Sequence, residues 1–180
     1  MTTKIYFDAE FTGLHKKTTL ISLGMVSDCG KTFYAEFADY TKSQVDTWLE
    51  KNVMNNLRFR DRPNFQINAG NDFMIKHHTV KITELLEKWL AQFRSIEMWG
   101  DTLAYDWVLF CDLFGSGMAL PRNISYIPLD IATVFYQKGI DPDISREKFA
   151  YGEVLTEMKK HNALWDAETI KICHQKLLNL

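Results

Sequence analysis

The sequence predicts an α/β layer fold with a mixed sheet. Three observations carry that expectation. Strand-like segments joined as a hairpin come first, a β-α-β-α order follows, and an amphipathic helix closes the chain. The 180 residues fit one domain, because single cores commonly span about 100–200 residues.

Ile5 to Phe7 reads as a short buried strand. Leu20 to Val26 is a second, followed by the turn cluster Ser27-Asp28-Cys29-Gly30-Lys31 and the β-rich run Thr32 to Phe37. Thr41 to about Val53 fits one helix, with Val45, Trp48, Leu49 and Val53 on its inner side. Periodicity fails from Asn55 to His78, a stretch crowded with asparagine that reads as a long loop. It returns in Leu85, Leu86, Trp89, Leu90 and Phe93. Ile96 to Trp99 reads as a strand ended by Gly100, Asp106 to Phe114 as a helix, and Ile124 to Leu129 as another strand. Asp130 is placed to cap a helix over Ile131 to Gln137. The last helix spans about Ala163 to Leu178, with Leu164, Ala167, Ile170 and Leu177 toward a core.

Composition removes several function classes. Hydrophobic residues at 46% and charged residues at 24% exclude a disordered or fibrous chain. No apolar run approaches the roughly 18 residues of a membrane span. The three cysteines are far apart and form no C-x-x-C pair, against a disulfide framework or zinc knuckle and for a reduced cytoplasm. A net charge of −2 excludes nucleic-acid binding by bulk charge, yet residues 51–81 hold six basic residues against two acidic ones. This basic, Asn-rich segment is expected to be an arm toward nucleic acid or a partner subunit. In an extended chain, its alternating Arg58, Arg60 and Arg62 would all point one way. Glycine-rich nucleotide loops and the G-x-S-x-G elbow are absent.

The chemistry resides in carboxylates and one histidine. Asp8 and Glu10 follow the first strand two residues apart, so they share a face about 7 Å apart. Such a pair repels unless a cation such as magnesium lies between, although strands also end in acids where they meet solvent. Asp106 opens an apolar helix and Asp166 the first turn of the last one, positions that the helix dipole alone would favour. Asp101, in the turn after Gly100, competes with Asp106 for a role. His161 stands five residues before Asp166 and can fold back over whatever Asp166 binds, though a lone histidine is more often a surface or capping residue. The remaining histidines read as structural or surface residues.

Taken in order, Asp8-x-Glu10, Asp106 behind Gly100, and His161-x4-Asp166 resemble the DEDDh family of 3′-to-5′ exonucleases. The motif Asp8-Ala9-Glu10-Phe11-Thr12-Gly13-Leu14 is similar to oligoribonuclease. Trp48-Leu49-Glu50-Lys51-Asn52-Val53-Met54 and Ala104-Tyr105-Asp106 are closer to the mycobacterial 3′-to-5′ exoribonucleases and phage DexA-type exonucleases. Phe11 stands where D-x-E motifs commonly carry Thr.

The resemblance implies a single exonuclease domain over 1–180 with a ribonuclease H-like fold, a five-stranded mixed sheet flanked by helices. It implies release of nucleoside monophosphates from RNA 3′ ends, with two Mg²⁺ or Mn²⁺ ions and a homodimeric state. Asp8 would bridge both ions, Glu10 and Asp166 would complete one site, and Asp106 would support the second through water. His161 would be the general base. Phe11 and Thr12 would hold the terminal ribose, Leu14 would wedge the last base, and Tyr105 or Trp107 would stack a base. Single-stranded DNA as substrate, and a module that binds RNA without cutting it, are the rival expectations.

Overall fold

The computed structural model of the protein describes residues 1–152 and 160–180. One seven-stranded mixed sheet forms its centre. The strands are β1 (Thr3–Phe11), β2 (Leu20–Ser27), β3 (Thr32–Phe37), β4 (Phe65–Ala69), β5 (Asp72–His77), β6 (Ile96–Gly100) and β7 (Leu129–Asp130). They lie in the order β4-β5-β3-β2-β1-β6-β7. β1, β2 and β3 are an antiparallel meander, while β6 runs parallel to β1 and β5 parallel to β3. The helices are α1 (Thr47–Asn52), α2 (Thr79–Leu90), α3 (Asp106–Leu113), α4 (Ile131–Gln137), α5 (Arg146–Tyr151) and α6 (Ala163–Leu178).

Strand alternation splits β1 between two cores. Ile5, Phe7 and Ala9 point into the larger one, shared with Ile82, Leu86 and Leu90 of α2 and Leu109 and Phe110 of α3. Tyr6 points the other way, toward Ile170, Cys173 and Leu177 of α6 and Phe135 of α4. Asp8 and Glu10 follow Tyr6 on the α6 side. Burying Leu or Phe side chains contributes roughly 1.5–3 kcal/mol each, which makes this face assignment costly to invert.

The expected sheet of five strands becomes seven, because the segment read as a loop contains a hairpin. β4 and β5 pair antiparallel around Gly70, whose φ of +63° takes the first corner of a two-residue turn. Four of the five residues of β4 are exposed, so this edge strand requires no apolar alternation and carries none. Its Gly70-Asn71 turn was the readable signal.

Three further expectations are corrected. The helix over 41–53 is broken into a 3₁₀ turn (Lys42–Gln44), α1 and a second 3₁₀ turn (Met54–Asn56), and Trp48 is exposed rather than inward. Asp46 stops the first turn by capping α1, accepting a hydrogen bond from the Leu49 N–H at 2.8 Å. The strand over 124–129 shrinks to a single bridge at Ile124 and the two residues of β7. The three arginines do not share one alignment or one partner. Arg58 lies over the Tyr34 ring, Arg60 pairs with Glu50, and Arg62 lies over Phe65.

Asp130 caps α4 as expected, accepting from the Ala132 N–H at 2.7 Å. α6 matches its predicted limits, with all four predicted inward residues buried. α5 was not anticipated, being only six residues long and begun by a Ser145 cap. No helix among the described residues is long and apolar enough to cross a membrane.

Candidate active site

A cleft of about 690 Å³ opens where the end of β1 meets the start of α6. Its position follows from one glycine. Gly24 of β2 pairs with Asp8 across the sheet, and a Cβ there would lie 2.2 Å from the backbone of Ala163 and Leu164. Only glycine lets the first turn of α6 press onto the sheet at that point. Asp166, in that turn, is thereby brought over Asp8. Ligand oxygens of Asp8, Glu10 and Asp166 all lie within 4.8 Å of one another.

Asp106 joins from the opposite core. Pairing of β1 with β6 stops at Tyr6, and beyond it the Ala9 N–H donates to Asp106 Oδ1 at 2.9 Å. The carboxylate is thus anchored on β1 between Asp8 and Glu10 in sequence. Asp101, the competing acid, is gripped by Arg146 through Nε at 2.7 Å and Nη2 at 2.9 Å, so its charge is already matched.

Crowding shows in the proton affinities. Burial first, and then the charges of Asp166, Asp106 and Glu10, hold the Asp8 carboxyl well above its ordinary range. Burial also pushes Asp106 to about 7, against the Ala9 hydrogen bond that lowers it. Asp166 rises to about 7 through burial and the Glu10 charge, with His161 opposing. Asp8, Glu10 and Asp166, repelling one another in a partly buried cleft beside Asp106, form a donor set suited to hard divalent cations.

His161 Nδ1 faces Glu10 Oε1 at 3.7 Å. That carboxylate raises the imidazole pKa, while burial opposes the rise. The edge of the ring meets Trp48, with centroids 5.0 Å apart.

Comparison with known proteins decides the family. Residues 3–178 match the family described as 3′-5′ exoribonuclease Rv2179c-like domain. The chain belongs to this family. The 3′-5′ exoribonuclease Rv2179c of Mycobacterium tuberculosis strain H37Rv is 24% identical over 142 residues, 76% of either chain. A relative from strain CDC 1551, 3′-5′ exoribonuclease MT2234.1, gives the same figures.

Within this exoribonuclease family member, the other expected site residues separate. Leu14 is exposed on the cleft wall. Thr12 also lines the cleft, but its hydroxyl is committed to structure. It donates to Gln44 Oε1 at 2.6 Å and accepts from the Thr19 N–H at 2.9 Å. Phe11 lines the cleft and stacks on Tyr105, with centroids 5.6 Å apart. Trp107 packs against Phe7 and Phe110 in the core, and neither Tyr105 nor Trp107 lines the cleft.

Sequence reasoning missed Trp48 and Glu147 as cleft residues. Trp48 was counted toward a helix core, although its family-like motif singled it out. Glu147 carried no local signal. Gly24 did, as a glycine inside an otherwise largely apolar strand.

Proposed function

We propose that this protein is a metal-dependent 3′-to-5′ exoribonuclease with a ribonuclease H-like core, releasing nucleoside monophosphates from single-stranded RNA ends. The observation that carries this is the convergence of Asp8, Glu10 and Asp166 oxygens within 4.8 Å beside His161. The strands β3-β2-β1-β6-β7 would be the five-stranded core of that fold, with β5 and β4 added at the β3 edge.

Asp8, Glu10 and Asp166 would hold one Mg²⁺ or Mn²⁺ ion, and Asp8 would hold a second that Asp106 supports through water. Such ions polarise the phosphoryl oxygen, acidify an attacking water and stabilise the leaving 3′ oxygen. His161 accepts the water's proton. Its Nδ1 faces Glu10, which leaves Nε2 for that task. Backbone groups of Phe11 to Gly13 would meet the terminal ribose in place of the committed Thr12 hydroxyl. Leu14 and the exposed Trp48 ring offer apolar surfaces for the last base.

The test uses end-labelled RNA and DNA strands with Mn²⁺ or with chelator, beside His161→Ala and Asp166→Asn. RNA shortened from its 3′ end only with metal is the expected result. Asp166→Asn should lose Mn²⁺ affinity by calorimetry. His161→Ala should keep that affinity and lose roughly 10²–10⁴ in rate. Cleavage unaffected by chelator would reject the metal reading. Binding of RNA without cleavage would favour the non-cutting module, and equal rates on DNA would reject ribose selection.

A further inference from the structure

Residues 52–56 are tied to the turn carrying His161, and the tie uses two asparagines outside the acidic cluster. Asn56 Nδ2 donates to the Lys160 carbonyl at 2.7 Å and to the Asn52 carbonyl at 2.6 Å. In return, Asn162 Nδ2 donates to the Asn56 carbonyl at 2.9 Å. The bonds to Lys160 and from Asn162 bracket His161 in sequence, one on each side.

His161 itself has φ +64°, in the left-handed region that a residue with a Cβ seldom adopts. A backbone in that state persists where its surroundings over-determine it. Two cross-segment hydrogen bonds and the Trp48 ring against the imidazole supply the constraint. Asn162 is 2% exposed, so its amide has no solvent to turn to. Its Oδ1 is separately used as the α6 cap, accepting from the Trp165 N–H at 3.3 Å. The cap requires only an oxygen, whereas the amide nitrogen serves the tie alone.

We infer that Asn56 and Asn162 form a clasp that holds His161 in its left-handed turn over the carboxylates, making both positioning residues for the general base. This rests on the proposed role of His161. It gives a task to the Trp48–Met54 motif, because α1 presents Trp48 at one end and the Asn52 carbonyl at the other.

Two variants test it, each compared with wild type at a temperature where both are folded by circular dichroism. Asn56→Ala removes both donated bonds and keeps the carbonyl that Asn162 uses. Asn162→Ser keeps an oxygen to cap α6 and removes only the amide. Each should lower kcat roughly 10- to 100-fold, the scale of a misplaced catalytic group, with KM for RNA and calorimetric Mn²⁺ affinity little changed. Asn55→Ala, next door, should keep full activity.

A double-mutant cycle separates positioning from general loosening. With His161→Ala already present, Asn56→Ala should remove nothing further. An additional loss in that background, or a wild-type kcat for both asparagine variants, overturns the clasp while leaving the general base intact. Full activity of His161→Ala would instead overturn the general-base reading on which the clasp depends.

Discussion

Two carboxylate sites in this protein, one buried and one half-buried, obey opposite rules. Glu36 of β3 is 1% exposed, and its donors gather on one carboxylate oxygen, Oε1, while Oε2 is buried without a partner among the described residues. Its Oε1 accepts from the Tyr34 hydroxyl and the Phe59 N–H, both at 2.9 Å, and the Lys76 charge favours its ionised form. Burial still raises its pKa, but each of these partners works against the rise. Asp8, in contrast, faces Asp166, Asp106, Glu10 and Asp101, and every one of these charges raises its pKa further. A carboxylate used for structure is given donors. The carboxylate proposed to hold a cation is left among its own kind, and the folded chain bears the repulsion.

The contrast breaks most visibly at Asp8. Asp8→Asn should lower turnover by roughly 10³-fold or more, since several kcal/mol of charge stabilisation depend on the ions it would hold. The same change should stabilise the metal-free protein by on the order of 1–3 kcal/mol, because the fold no longer holds a carboxyl whose ionisation it opposes. For a domain of this size that is a rise of about 2–10 °C in Tm. Thermal melts in chelator, beside a turnover assay in Mn²⁺, read both. A variant that loses both activity and stability would place Asp8 with Glu36, as a structural acid.

Glu36→Ala should show the reverse pattern at smaller scale. It orphans the Tyr34 hydroxyl and the Phe59 N–H, at about 1–3 kcal/mol for each buried donor left unpaired. Denaturant melts should therefore show a loss of about 2–6 kcal/mol. Turnover measured where the variant is folded should stay within about twofold of wild type. A collapse of activity in fully folded Glu36→Ala would join the two sites functionally and remove the distinction.

The same contrast explains what the sequence disclosed. Asp8, Glu10, Asp106 and Asp166 were legible because their spacing is fixed by local structure, one strand end and two helix starts. α6 was legible from its periodicity and cap. What pulls the acids together was harder to read, because a close approach depends on an absent side chain, that of Gly24. The Arg58, Arg60 and Arg62 alternation misled for a related reason. Alternation orients side chains only in an extended strand, and this stretch is bent, so each arginine found a separate partner. Glu36 gave no sign at all. A lone Glu within a β-rich run carries no mark of burial until the Phe59 N–H, 23 residues along the chain, is seen to donate to it.

The smallest expected effect is a pH dependence of stability. Asp106 and Asp166, at about 7 in the folded metal-free protein, bind protons more tightly there than as ordinary carboxylates near 3.8 in the unfolded chain. A folded-state pKa above the unfolded value means stability is full at acid pH and is lost as pH rises through the folded value. Raised His161 contributes in the same direction. In chelator, Tm should therefore fall steadily as pH rises from about 4 to about 7 and flatten above that. Mn²⁺ competes with those protons and should flatten the curve at the alkaline end, where the carboxylates are ionised and free to bind it. In Asp8→Asn the slope in chelator should shrink, because the raised carboxyl at that position no longer titrates. A slope that ignores both Mn²⁺ and the Asp8 substitution would mean that the raised acids are relieved within the fold. The cleft and Glu36 would then differ only in degree.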